Sequence, residues 1–365
     1  VDSVGMALAE RGIGVHVLGH PVVKVARDRS GQLTAVGEGA TESLMHLEID
    51  RQSASDAAEI ERALHAVLAD VRGIVQDWPA MRRKMLDITE DLAKRRMPVD
   101  DAGRKEAQEF LRWAADDHFT FLGYREYRVR KQGSEEVLSA DADTGLGLLR
   151  ARESAKPRKL TSLAAHYMPQ SGAADALILT KTNARATVHR PGYMDYIGVL
   201  SFDAEGRAIA EQRFIGLYTS SAYNRRPWEI PLVRERHEYV MRKSGLQPTG
   251  HSGKALRHIL EKLPRDELFQ STETELYQLA IGVLGLQERV RSRLFMRHDR
   301  YGRFYSVLAY IPRDRYNTEI RLRIEAMLKE TLRADRVDST IQLGDSPLAQ
   351  LHMLVRPRKG ETAVA

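Results

Sequence analysis

The densest set of side chains able to do chemistry runs Thr180-Lys181-Thr182-Asn183-Ala184-Arg185-Ala186-Thr187-Val188-His189-Arg190-Pro191, with Asp195 and Tyr196 close behind. A second set spans Tyr218-Thr219-Ser220-Ser221-Ala222-Tyr223-Asn224-Arg225-Arg226. Both follow or interrupt expected strands, so their side chains can converge near strand ends. Lysine, arginine, asparagine and threonine together suit a carboxylate or another small anion, because their donors make charge-assisted hydrogen bonds to its oxygens. The candidate effector or interface residues are therefore Lys181, Asn183, Arg185, Thr187, His189, Arg190, Asp195, Tyr218, Tyr223 and Asn224. Spacing does not tie Ser220 to His189 as nucleophile and base. A polar interface between domains outweighs a ligand site for this set.

Other motifs fall short of the chemistry they suggest. In Gly12-Ile13-Gly14-Val15-His16-Val17, Val17 stands where a dinucleotide fingerprint needs its third glycine. That stretch also enters a strand, whereas a pyrophosphate needs a helix N-terminus. Gly145-Leu146-Gly147 has no third glycine either. Gly250-His251-Ser252-Gly253-Lys254-Ala255 looks like a phosphate loop, but Pro248 replaces the first glycine and Ala255 the magnesium-binding hydroxyl. His237-Glu238-Tyr239-Val240-Met241 misses the zinc-protease pattern, since Met241 cannot act as the second histidine. Arg300-Tyr301-Gly302-Arg303-Phe304-Tyr305 mixes basic and aromatic residues as RNA-binding sheets do, yet Tyr301 occupies the glycine place and Arg303 an aromatic one. Core packing outweighs base stacking there. No catalytic, cofactor-binding or metal-binding residue is assigned.

The chain has 365 residues, too many for one ordinary domain. Hydrophobic residues make up 42% and charged residues 29%, a globular balance rather than a disordered one. The mean hydropathy is -0.42 and no run of about 18 apolar residues occurs, which excludes a membrane-spanning helix. With 0 cysteines, thiolate metal sites and cysteine nucleophiles are excluded, and a cytoplasmic location is expected. The net charge of +6 invites nucleic acid, but 56 basic residues face 50 acidic ones, interspersed as on a solvated surface. An RNA-binding module on a ferredoxin-like sheet therefore stays as the alternative function, and nucleic acid is not the expected partner.

These residues must be held by mixed elements. Asp2–Gly12 reads as a short helix capped by Asp2 or Ser3 and closed by Gly12. The missing initiator methionine leads us to expect a fragment of a longer protein. A strand covers Ile13–Ala26, broken at Gly19-His20-Pro21, and another covers Leu44–Asp50. Asp56 and Glu59 resemble a capping box before a stripe at Ile60, Leu64, Val67, Leu68, Val71, Val75 and Trp78. Helices are expected near 79–96 and 103–117, a strand from Phe119 to Val129 and a loop-rich insert over 131–175. Strands then follow at Ala176–Lys181, Thr187–His189, Tyr193–Phe202 and Ala208–Tyr218, and helices over 232–244 and 253–262. Asp266–Gln270 is expected as an edge strand, and Thr272 with Glu275 as a capping box. Two hairpins, Arg291–Ile311 and Asp338–Val355, flank a helix over 317–332.

The order strand, helix, strand, strand, helix, strand is the split βαβ arrangement. The fold class is α+β: tandem ACT-like, ferredoxin-like (βαββαβ) domains joined by helical linkers. The expected division is 1–98, its first strand lying upstream of Val1 and a helix trailing it; 99–264, with a loop insert and a helical linker; 265–358; and a tail, 359–365.

Asp2–Leu8, Glu42–Arg51, Asp117–Arg125, Thr187–Pro191, Phe214–Ser220 with Ala222-Tyr223-Asn224, Pro264–Gln270 and Tyr310–Thr318 occur in one order over residues 1–356. In that order they resemble the N-terminal part of the large bacterial NAD-specific glutamate dehydrogenases. The resemblance implies tandem ACT-like regulatory domains and a parent that oxidises glutamate to 2-oxoglutarate and ammonia with NAD in a later segment. It also implies partnership with that catalytic region, homo-oligomers and an amino-acid effector. No cofactor and no catalysis are expected in this segment, and no membrane partner.

Overall fold

The computed structural model describes residues 1–95, 97, 99–133, 135–150, 158–159, 177–287, 291–344 and 346–358. The expected tail, and much of the expected insert over 131–175, lie outside them. The chain forms two compact units: Val1–Trp78 with Ala184–Tyr193, and Pro79–Asn183 with Met194–Ala365.

In the first unit α1 (Asp2–Ala9) leads through a short loop to β1 (Val15–Gly19), then β2 (Val22–Arg27), β3 (Leu33–Val36), β4 (Ala40–Ser43) and β5 (His46–Ile49). β1 pairs antiparallel with β5, while β2 sits between β3 and β4 in a separate sheet. The stretch Ile13–Ala26 thus splits between two sheets at Pro21, which has no N–H to donate to a ladder. β3 and β4 carry few inward apolar residues, so no alternation marked them in the sequence. Val4 and Leu8 of α1 pack with Ile60 of α2 (Ala54–Leu92), against Leu47 and Ile49 of β5.

Two expected caps move. Val1 caps α1 without a side-chain bond, and Asp2 lies inside its first turn. At α2 the cap is Ser53, whose Oγ accepts from Asp56 N at 3.2 Å and donates to the Asp56 carboxylate at 2.6 Å. The cap therefore stands three residues before the expected Asp56, since Ser53 already meets the open N–H of Asp56. The helix also includes Pro79 and has 39 residues in all, where two helices were expected. Proline there forgoes one bond, costing about 3 kcal/mol. Beyond it the buried Met81, Met85, Ile88 and Leu92 anchor the remaining turns.

In the second unit α3 (Asp101–Trp113) is capped by Asp100, which accepts from Gly103 N at 2.8 Å. The chain then swings into β6 (Phe119–Gln132) through Asp117, whose φ is 57°. Next come β7 (Glu135–Ala140), β8 (Leu146–Gly147), β9 (Arg158–Lys159), β10 (Leu177–Arg185), β11 (Tyr193–Phe202) and β12 (Ala208–Tyr218). Their sheet has the order β10-β11-β12-β6-β7-β9, with β8 also on β6. This differs from the expected split βαβ: among the described residues no α-helix joins two successive strands of the sheet. A tight turn at Asp203–Gly206 places β11 beside β12 directly, and antiparallel neighbours need no crossover. Thr187–His189, expected as a strand, is a bend, with His189 at φ 71°. Gly216 marks a register shift in β12, where a Cβ would lie 2.2 Å from the Thr120 carbonyl oxygen.

Five α-helices follow among the described residues: α4 (Ser220–Asn224), α5 (Val233–Lys243), α6 (His251–Lys262), α7 (Arg265–Gln270) and α8 (Glu273–Gln287). α7 corrects the expected edge strand Asp266–Gln270. Pro264 at its start, with Asp266 and Glu267 in the first turn, is a helix-starting arrangement. The capping box at α8 is as expected: Glu275 N donates to Thr272 Oγ1 at 3.1 Å and Thr272 N to Glu275 Oε2 at 2.7 Å.

The last sheet holds β13 (Arg293–His298), β14 (Tyr305–Pro312), β15 (Ala334–Gln342) and β16 (Leu348–Pro357) in the order β13-β14-β16-β15. α9 (Thr318–Thr331) crosses from β14 to β15, leaving β16 between them. One face carries Val307, Ala309, Leu351 and Met353 against Ile324 and Leu328 of α9. The other face meets α7 and α8.

Candidate functional site

The chemistry-bearing residues of β10 face the last sheet across a polar seam within the second unit. Thr180 Oγ1 donates to Asp299 Oδ1 at 2.8 Å. Arg303 donates to the Lys181 carbonyl at 3.0 Å and lies over the Tyr196 ring, 4.6 Å from its centre. Arg356 reaches Asn183 Oδ1 at 2.7 Å and the Thr182 carbonyl at 2.9 Å. Beneath this row Lys181 Nζ lies 2.7 Å from Asp195 Oδ1 and 3.2 Å from Asp266 Oδ1, with Lys181 and Asp195 buried and Asp266 partly so. The other Asp195 oxygen accepts from Tyr218 N at 3.0 Å. Burial would lower the Lys181 pKa, but Asp195 first and Asp266 next outweigh it, so the ammonium is held charged.

A second buried cluster sits on α7. Arg297 grips Glu267 through two bonds of 3.0 Å and Gln270 Oε1 through another of 3.0 Å. Ser306 Oγ lies 2.5 Å from Glu267 Oε1 and 2.9 Å from His352 Nε2. Burial alone would raise Glu267, yet Arg297, then His352 and then the Ser306 bond push its pKa down to about 2. Serine, histidine and carboxylate thus converge, as sequence spacing did not suggest. The carboxylate bonds the serine and the arginine, however, and lies 3.9 Å from the same His352 nitrogen that faces the serine, whereas a triad needs it behind the histidine, at the other ring nitrogen. Beside the cluster, the space lined by Arg236, Gln270, Asp299 and Tyr301 holds about 10 Å³, room for a water at most.

The ten sequence-derived candidates divide between the units. Lys181, Asp195 and Tyr218 come together, Tyr223 adds to their field, and Asn183 joins the seam. Asn224 ends α4. Arg185, Thr187, His189 and Arg190 belong to the first unit. There Thr187 Oγ1 donates to Asp70 at 2.8 Å, His189 N to Ser3 Oγ at 3.0 Å, and Arg185 lies over Tyr193. Sequence reasoning missed Asp266, Glu267, Arg297, Asp299 and Arg356. The one available signal was a charge such as Arg297 set inside an apolar strand.

The motif look-alikes resolve into packing. Gly253 lies in the first turn of α6, where a Cβ would sit 2.0 Å from the Gln247 carbonyl oxygen, so the phosphate-loop pattern records a close backbone approach. Phe304 and Tyr305 are buried, so neither offers a stacking face to bases. His237 is buried beside Trp228 with no hydrogen-bond partner at either ring nitrogen. Burial, then Arg257, lowers its pKa from 6.5 to about 4. Its neutral form belongs to the fold, so stability present above pH 6.5 is lost as the pH falls toward 4. His237→Phe is expected to remove about 2 kcal/mol of that loss, checked by urea unfolding at pH 7 and pH 4.5.

Family models match this architecture in chain order: the ACT1 domain of glutamate dehydrogenase at residues 1–64, helical motif 1 at 230–289 and the ACT2 domain at 293–365. The chain is a mixed α/β region bearing ACT domains. It is 40% identical to the NAD-specific glutamate dehydrogenase of Halomonas elongata, 38% to that of Pseudomonas aeruginosa and 30% to that of Mycobacterium tuberculosis. Each alignment covers 98% of this chain and 23%, 22% and 21% of the relative, so the chain spans about a fifth of their length. It resembles the N-terminal, ACT-bearing region of the large bacterial NAD-specific glutamate dehydrogenases. Among solved structures, the periplasmic sensory domain of the Campylobacter jejuni chemoreceptor Tlp1 aligns over 80% of this chain and 91% of its own. Its TM-score of 0.20 and 10% identity bear on neither fold nor function. No helix among the described residues is long and apolar enough to cross a membrane.

Proposed function

We infer that this chain is the regulatory and assembly region of a large, cytoplasmic NAD-dependent glutamate dehydrogenase. The parent reaction is the oxidative deamination of L-glutamate to 2-oxoglutarate and ammonia. NAD and the reacting atoms belong to a catalytic region elsewhere in the same polypeptide, and the assembly is a homo-oligomer responsive to an amino acid. The succession of ACT1, helical motif 1 and ACT2 matches along one chain carries this reading.

The buried seam supports it physically. Its cations and carboxylates are already engaged with one another, which suits transmitting a conformational change between sheets better than turning over a substrate. An effector regulates only by binding two conformations unequally, with a coupling of about 1–3 kcal/mol. A thermal-shift screen of the twenty amino acids is expected to stabilise the chain with one or two of them, by about 2.7 kcal/mol at a hundredfold excess over Kd. Silence from all twenty overturns effector regulation. Glutamate-dependent NADH formation by the purified chain overturns the assignment of catalysis elsewhere.

A further inference from the structure

The short turn Pro227–Glu229 packs on α5 and carries Trp228, whose ring collects two arginines. The guanidinium of Arg226 lies 5.7 Å from the centre of the indole, and that of Arg257, on α6, lies 5.6 Å from it. Both residues are exposed, and among the described residues the indole is the partner each guanidinium has. Of the carboxylates nearest in the chain, Glu229 accepts from the Arg226 backbone N–H at 3.4 Å and Glu261 faces His258. Lys254 stands one turn before Arg257 on the same side of α6 and is exposed as well. Like charges gathered at one ring repel, and an exposed aromatic face offsets that only weakly.

His237, on α5, lies against the same indole, with ring centres 5.4 Å apart, and is only 6% exposed. Both of its ring nitrogens are sealed from solvent and lack a hydrogen-bond partner. Arg257 is close enough for its charge to act on this imidazole. A buried imidazole left in this way forfeits the hydrogen bonds it makes in water, a loss that a fold seldom carries without a use for it. We propose that Arg226, Arg257 and His237 form, around Trp228, a binding site for a doubly charged oxyanion, a phosphate group or a dicarboxylate. The planar guanidinium fork matches two oxygens of either group. Such a dianion supplies together what these side chains lack: negative charge facing both guanidiniums, and an acceptor for the imidazole N–H. Its arrival draws the arginines from the ring onto its oxygens, which uncovers the imidazole and changes the surroundings of Trp228. The proposal does not depend on the regulatory reading.

The test uses this chain labelled with 5-fluorotryptophan. Its 3 tryptophans give one fluorine resonance each, and Trp228→Phe identifies the one that matters. Inorganic phosphate and succinate are titrated separately at pH 7, each against sodium chloride of matched ionic strength. The Trp228 resonance is expected to move and saturate in the low millimolar range or below, while those of Trp78 and Trp113 stay in place. Saturation by phosphate alone assigns the site to phosphate groups, and saturation by succinate alone assigns it to dicarboxylates. Arg226→Gln and Arg257→Gln lie on the surface and should fold normally, and each is expected to weaken the midpoint at least tenfold. His237→Phe keeps both guanidiniums and is expected to weaken it at least threefold. An unchanged midpoint in any of these variants overturns the site. So does a shift that chloride reproduces, or one that grows without saturating for both dianions.

Discussion

Glu267→Ala is expected to destabilise the second unit by about 3–5 kcal/mol, among the largest single-residue losses in the molecule. The substitution strands the Arg297 guanidinium, 8% exposed, with Gln270 as its remaining partner from that cluster, and leaves the Ser306 hydroxyl without its carboxylate. Urea unfolding followed by tryptophan fluorescence at pH 7 measures the loss. A deficit under 1 kcal/mol refutes the idea that the pair is electrostatically committed. Replacing both partners, with Glu267→Leu and Arg297→Met, should recover most of the stability, because two apolar groups carry no stranded charge. The pH dependence follows from the direction of the shift. The Glu267 pKa lies below its ordinary value of 4.5, so its contribution is present above pH 4.5 and disappears as the pH falls toward 2. Glu267→Gln should flatten that limb of the stability profile.

Lys181→Met is expected to cost a similar 3–5 kcal/mol at pH 7, with the opposite dependence on acid. Without the ammonium, Asp195 and Asp266 share a buried space with no counter-ion from that side chain. Two close carboxylates do not both ionise readily, so the variant takes up a proton in the folded state. A folded-state pKa raised above the unfolded value gives stability that is present at low pH and lost as the pH rises through it. The gap between variant and wild type should therefore be widest at neutral pH and narrow toward pH 4. A gap independent of pH would show that Lys181 acts through packing of its stem.

Much of the local structure was legible because it depends on neighbours in the sequence. The Thr272–Glu275 capping box, the hairpin turn at Asp203–Gly206 and the strand around β5 needed only short-range spacing. Where two local signals competed, spacing could not arbitrate. The stripe ending at Trp78 and the helix expected near 79–96 are one helix through Pro79, carried by buried contacts on its C-terminal side. Asp266–Gln270 looked like an edge strand, but Pro264 and two acidic residues favour a turn of helix, and packing beneath a sheet rewards it. The polar stretch after Thr180 divides in the structure: its first half lines the seam, and Arg185 to Arg190 belong to the first unit.

By itself the sequence determined the chemistry available to this protein: no thiol, interspersed charge, and a cationic and hydroxyl-rich strand with no complete cofactor motif. It also determined the order of segments shared with the glutamate dehydrogenases. Only the tertiary structure decided which charges meet. Lys181 finds Asp266, and Glu267 finds Arg297 and His352, across separations of tens of residues and through strand registers that sequence spacing does not encode. The physical reason is burial. A carboxylate on the surface is indifferent to which cation it faces, whereas one sealed beneath a sheet must have a partner in place before the fold can close.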